Sequence, residues 1–257
     1  MKTSGIFYIA PPYVYQEVRN MLGQVVLLST PGKIRTEPEV IAGLPLLRAD
    51  LCLPENISER RLRRQLGRIR KVLLRHGVRR VVFPDGFPYI NRLPDLIPVE
   101  PLPLYRAAAH LLLLADLRRK GIPPARAAVR LSAPALCPEL AAAAERLCPA
   151  VRRLIIDAPG GGELAARLYR SYGIPVTPDG PADACAAFGL VEPEYPGVLR
   201  LYGTAPELRG LTLAAPSLAL PEDCAQSLLA ALWECGRVDF EQFAAVPAPR
   251  QRRTQLL

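Results

Sequence analysis

The sequence predicts an α/β protein of two lobes, the second a mostly parallel sheet flanked by helices. The strongest sign lies in residues 151–176. There an apolar run, Leu154 to Ile156, stops at Asp157-Ala158-Pro159, and three glycines follow at Gly160, Gly161 and Gly162. A helical pattern through Leu164, Leu168 and Tyr172 then ends at Gly173 and gives way to Ile174-Pro175-Val176. Strand, glycine turn, helix and strand form the unit that builds a parallel sheet and leaves amide donors free at the helix start. The same alternation of short apolar runs with helical periodicity recurs along the chain. Finally, Pro84, Pro88, Pro94, Pro98, Pro101 and Pro103 interrupt all periodicity between 84 and 103, which marks a domain boundary. The expected division is 1–98, 99–245 and a flexible tail from Val246 to Leu257. A chain of 257 residues has room for both cores.

In order, Gly5 to Ala10 reads as a strand, Tyr13 to Leu22 as a helix closed by Gly23, and Gln24 to Ser29 as a strand. Residues 31–56, rich in proline and glycine, read mostly as loop, with a short strand near Leu46 to Leu51. Asn56 to Gly77 is the clearest helix: Asn56 with Glu59 three residues on makes a capping box, and Gly77 a C-cap. Its apolar residues Leu62, Leu66, Ile69 and Leu73 fall on one face. Val81 to Phe83 follows as a strand. Beyond the boundary come a long helix Leu104–Lys120, a strand Ala127–Leu131, a helix Cys137–Leu147, a strand Arg153–Asp157 and a helix Gly162–Tyr172. Short strands at 174–177, 184–188, 198–202 and 210–214 precede a closing helix from about Glu222 to Cys235, with Pro221 near its first turn.

Composition narrows the class. No apolar stretch approaches the roughly 20 residues that span a bilayer, and Gly5 to Ala10 is too short for a secretion signal, so a cytoplasmic location is the default. The six cysteines are widely spaced without a CxxC pair and read as small buried hydrophobes. With only His76 and His110, no metal site is expected. The charge is concentrated: Ser58 to Arg80 holds ten basic residues against Glu59, an excess equal to the +9 of the whole chain. A field so localised suits an anionic partner.

The glycine turn satisfies G-x-G-x-x-A over Gly160, Gly162 and Ala165, with Asp179 about 20 residues beyond Gly160. Residues 104–214 therefore resemble Rossmann-type dinucleotide-binding folds. That resemblance implies a pyrophosphate on the amides of Gly160, Gly161 and Gly162, with Asp157 or Asp179 beside the ribose. NAD or NADP is the cofactor it would bring, though Pro159 removes an amide and Asp157 and Glu163 place negative charge against a phosphate. A second register fits the same residues. In it, Ala127–Leu131 is the first strand, Asp157 ends the second at the ribose position, and the phosphate loop is Ser132-Ala133-Pro134-Ala135, which has no glycine. In that register the fold has lost its cofactor grip, and the glycines only let a strand turn into a helix.

Two further features compete with plainer readings. The basic helix, with Arg60, Arg63, Arg64, Arg68, Lys71 and Arg75, could meet nucleic-acid phosphates or an anionic membrane, or be a solvated face without aromatics for stacking. Asp85, Tyr89 and Asn91 follow a strand end, where ligands gather, yet a Pro84-Asp85-Gly86 turn explains them as well. Nucleophilic catalysis has no G-x-S-x-G to rest on. The leading expectation is a non-catalytic or regulatory Rossmann-like protein, at most holding a small anion near Gly160–Glu163. An NAD(P)-dependent oxidoreductase and a nucleic-acid-associated protein are the alternatives. The sequence leaves the oligomeric state open, a homo-oligomer included.

Overall fold

The computed structural model describes residues 22–28, 34–54, 56–191 and 195–248. In chain order its main elements are β1 (Leu22–Leu28), β2 (Arg35–Ile41), β3 (Leu44–Cys52), α1 (Glu59–Arg75), β4 (Arg80–Val82), β5 (Ile97–Pro98), α2 (Leu102–Ala107) and α3 (Ala109–Arg119). There follow β6 (Ala128–Ser132), α4 (Pro138–Leu147), β7 (Arg153–Asp157), α5 (Gly161–Tyr172), β8 (Val176–Thr177), β9 (Ala184–Ala187), β10 (Leu199–Arg200), β11 (Leu211–Ala214), α6 (Ala225–Glu234) and β12 (Ala244–Pro247). The chain divides into two units, one of residues up to 100 with 218–238, the other of 101–217 with residues from 239 on.

The first unit is a five-stranded sheet ordered β2-β3-β1-β4-β5, parallel except for the edge strand β2. α1 is the crossover from β3 to β4. Its buried Leu62, Leu66, Ile69 and Leu73 join Val25, Leu47, Ala49, Leu51 and Val81 in one core. α6, far along the sequence, packs on β4, where Arg80 pairs with Glu234 and the Gln24 amide donates to the Cys224 sulfur at 3.4 Å.

Several local expectations change here. Residues 31–56, read mostly as loop, contain the β2–β3 hairpin, turned by Ala42 and Gly43 at φ 47° and 74°. Pro38 is tolerated because an edge strand need not donate all its amides, and Pro45 lies before the register with β1 begins at Leu46. The strand at Gly5–Ala10 and most of the helix at 13–22 fall outside the described residues. Leu22 and Gly23, however, belong to β1 and do not end a helix. Gly23 is needed for close packing, since a Cβ there would stand 2.6 Å from Val78 Cγ1. α1 starts two residues later than a cap at Asn56 would place it: its N-cap is Ser58, and the capping box is not formed. Gly77 does follow the helix in the left-handed region, with Val78 N–H bonded to the Leu73 carbonyl.

The second unit carries the parallel sheet β10-β9-β6-β7-β8. Numbering these strands one to five from β6 gives the order 5-4-1-2-3, which is the Rossmann order read from the far edge. α4 and α5 cover the first two crossovers, whereas among the described residues 178–183 and 188–198 connect β8, β9 and β10 without a helix. The expected helix Leu104–Lys120 breaks at Ala108 into α2 and α3, and the Ala107 carbonyl accepts from Arg146 at 3.0 Å. The strand expected at 210–214 is not part of the parallel sheet. It is β11, paired antiparallel with β12, so Val246 and Pro247, assigned to the tail, are strand residues.

His110 on α3 is buried, edge-on to Phe240 at 5.7 Å, with the Arg146 guanidinium 4.2 Å above that ring. Burial, and then the Arg146 charge, push its pKa down to about 4, against a weaker opposing pull from the Ala107 carbonyl. Between that value and 6.5 the unfolded chain binds the proton and the folded one does not, so stability is full above pH 6.5 and falls towards pH 4. The loss should reach about 3 kcal/mol. Urea midpoints at pH 7 and pH 4.5 will show it, and His110→Gln should remove that part of the slope.

Candidate functional site at the carboxyl ends of the second sheet

In open α/β sheets a ligand sits outside the carboxyl ends of the strands where the order reverses, here between β6 and β9. The loop after β6 is Ala133-Pro134-Ala135-Leu136. Its Ala133 amide donates to the Asp157 carbonyl at 3.1 Å and its Leu136 amide to the Pro159 carbonyl at 3.3 Å. Pro134 has no amide to offer, and α4 opens on Pro138 with Glu139 in its first turn. Of the amide donors in this loop, Pro134 has none and those of Ala133 and Leu136 are committed to the neighbouring loop. On the other side of the crevice, Gly189 follows β9 so closely that a Cβ there would lie 2.8 Å from Pro134 Cγ. The proline ring fills the switch point.

This topology selects the second of the two registers. Ala128–Ser132 is the first strand, and the glycine turn lies on the second crossover, between β7 and α5. The three glycines have separate duties. Gly160 takes φ +80°, Gly161 is pressed on the sheet so that a Cβ would stand 2.8 Å from Ile156 Cγ2, and Gly162 is exposed with nothing within 4 Å. The Gly161 amide is bonded to the Ala158 carbonyl at 3.0 Å, and Glu163 is the acid of the helix's first turn. A carboxylate there satisfies the helix dipole from within the chain.

Asp157 and Asp179, both singled out in the sequence, are brought together by a residue that was not. Arg130, in the middle of β6, has a side chain only 4% exposed. One of its terminal nitrogens donates to Asp157 Oδ2 at 3.1 Å and to the Tyr195 hydroxyl at 2.6 Å. The other donates to Asp179 Oδ1 at 2.8 Å and to the Gly180 carbonyl at 2.6 Å. The Tyr195 ring lies 3.9 Å from the guanidinium, and its hydroxyl donates to Asp157 Oδ2 at 3.0 Å. Burial works against the charge on Arg130, but the bond to Asp179 and the fields of Tyr195, Asp157 and Asp179 outweigh it and raise its pKa. The same bond to Arg130, helped by the Gly180 amide, lowers the pKa of Asp179. Burial, then the bond to Asp157, raises that of Tyr195. A lone arginine inside the apolar run Ala127 to Leu131 was the legible signal for this cluster.

Register pairs Arg130 with Cys185 and Ser132 with Ala187, so these residues share one sheet face. Ala182, Tyr195, Val198 and Tyr202, from the helix-free connections and the segment after β10, pack on that face. Asp157, at the end of the second strand, thus helps to hold a crossover.

The other candidates stay apart from this cluster. Asp85 is exposed in a turn where Phe87 N–H bonds to the Pro84 carbonyl, and burial together with Asp223 raises its pKa. Tyr89 lies edge-on to Phe87 at 5.6 Å. Four of the six free cysteines are buried, no group of His, Cys, Asp and Glu among the described residues is arranged to hold a metal, and no described helix is long and apolar enough to cross a membrane.

No family model and no curated protein matches this chain. Among solved structures it is similar to L-tryptophan dehydrogenase from Nostoc punctiforme, at 13% identity and a TM-score of 0.28 over 66% of this chain and 56% of that one. The chain thus spans little more than half of that enzyme's length, and a likeness so slight carries no argument. The Rossmann-like resemblance rests on strand order.

If the glycines serve packing, substitutions should rank by contact. Gly161→Ala and Gly189→Ala should each cost about 1–3 kcal/mol through the overlaps with Ile156 and Pro134. Gly162→Ala should be neutral or stabilising by up to about 1 kcal/mol. Denaturant midpoints of the three variants test this, and a costly Gly162→Ala would restore a special role to the turn.

Proposed function

We propose that this protein acts by binding rather than by catalysis, as a Rossmann-like scaffold whose dinucleotide position has been closed by its own side chains. The observation that carries this reading is the seating of Pro134 against Gly189 at the switch point. Asp157, engaged by Arg130 and Tyr195, supports it, because a ribose would have to displace two half-buried hydrogen bonds. Against the oxidoreductase alternative stand a loop after β6 without glycine and a ribose-position acid already paired with Arg130. At most, the second unit takes a small anion at the free amides of Gly162 and Glu163, where neighbouring Glu163 and Asp157 keep affinity low.

Thermal unfolding with millimolar NAD, NADP, ATP or S-adenosylmethionine provides the test. A ligand at 100 times its dissociation constant adds about 2.7 kcal/mol, several degrees for a domain of this size. No shift is expected with any of the four. A rise of several degrees with NAD or NADP would overturn the reading in favour of the enzyme.

A further inference from the structure

α1 concentrates charge on one line. Opposite its buried face, Arg60, Arg64, Arg68, Lys71 and Arg75 follow at spacings of four, four, three and four residues, and all five are exposed. The row is about 22 Å long at the rise of an α-helix. The ion pairs made by α1 join Glu59 to Arg63 at 3.9 Å and to Arg92 at 2.7 Å, and Arg70 to Asp95, while among the described residues none of the five in the row has a carboxylate partner. Neighbouring like charges at these spacings cost about 0.2–0.5 kcal/mol each. The row is therefore no stabilising device.

Beside it lies a groove of about 480 Å³ lined by Glu59, Arg63, Leu66, Gly67, Arg70 and Arg92. A Cβ at Gly67 would have nothing within 4 Å, so the flank between row and groove is open. Arg92 bonds to Glu59 at 2.7 Å and Arg70 pairs with Asp95, both on the surface. Exposed pairs of this kind are worth about 0–1 kcal/mol, and a phosphate can replace the carboxylate with little loss.

The chemistry of the face selects its occupant. A bilayer surface is gripped by apolar and aromatic side chains inserted beside the cations, yet the apolar side of α1 is sealed in the core. Single strands are held by bases stacked on aromatics, and α1 has none. What remains is a straight row of cations, mostly guanidinium, suited to the densest regular array of phosphates, about one per 1.7 Å along a duplex. We propose that α1 is a docking face for double-stranded nucleic acid, gripping the backbone without reading the bases. This proposal concerns the first unit and stands or falls independently of the reading given to the second.

The test is fluorescence anisotropy of the full chain with labelled duplexes of two unrelated sequences and roughly 20 base pairs, the matching single strand, and flotation with phosphatidylserine vesicles, between about 50 and 200 mM salt. Wild type should bind both duplexes alike, and more tightly than the single strand, with log K falling against log salt at a slope of about −4 to −5. Arg64→Gln/Arg68→Gln should weaken duplex binding at least tenfold and reduce the slope by about 2. It should keep or raise the unfolding temperature, since it removes repulsion. Arg118→Gln/Arg126→Gln, with the same loss of charge at exposed positions of the second unit, should leave the slope unchanged. Equal slopes for the two double variants, single-strand binding as tight as duplex binding, recruitment to vesicles in preference to duplex, or no duplex binding at the lowest salt would each overturn the proposal.

Discussion

A guanidinium taken out of water must be matched group by group, and Arg130 is matched by two carboxylates, a phenol and a carbonyl. These partners come from the end of β7, the segment after β8 and the segment before β10, so one side chain pins three stretches to the central strand. In a doubly wound sheet a layer of helices would do this on that face. Here short irregular connections do it, with Ala182, Tyr195 and Val198 packed beside the polar cluster. The second unit's central strand is thus tied to its neighbours by a polar cluster in which the guanidinium is buried and the carboxylates reach the surface.

The contact between Pro134 and Gly189 follows from the same economy of chain. With 178–183 crossing back without a helix, β9 ends beside the loop after β6, and Gly189 allows Pro134 to fill the space between them. A ligand that bound there would have to part a tight contact as well as find donors. Glycine answers several physical demands with one residue. Gly160 supplies a left-handed turn and Gly161 a close helix-to-strand approach, and both would be required in the complete absence of a phosphate.

Elements with a local cause were legible in the sequence: α1 from its apolar stripe, and β7 and α5 from the run that ends at Asp157 and resumes beyond the glycines. What escaped was set at a distance. The β2–β3 hairpin was hidden by prolines whose tolerance depends on which strands lie alongside, and Gly23 looks like a helix stop until Val78 is placed against it. The grouping of 218–238 with the first unit has no local signature, nor has the pairing of β11 with β12. Asp157 and Asp179 could be named as acids near a ribose position, and the one local sign of their partner was an arginine within an apolar strand, but which acids it meets is set by segments far apart in the chain.

α1 shows how a surface becomes free to serve function. Burying Leu62, Leu66, Ile69 and Leu73 contributes about 1.5–3 kcal/mol per side chain, whereas the four like-charged neighbour pairs on the outer face cost at most about 2 kcal/mol together. The inner face therefore holds the helix in place whatever the outer face carries. That independence makes the unpaired row informative, since a fold that does not need those cations offers no structural reason for five of them to stand in line.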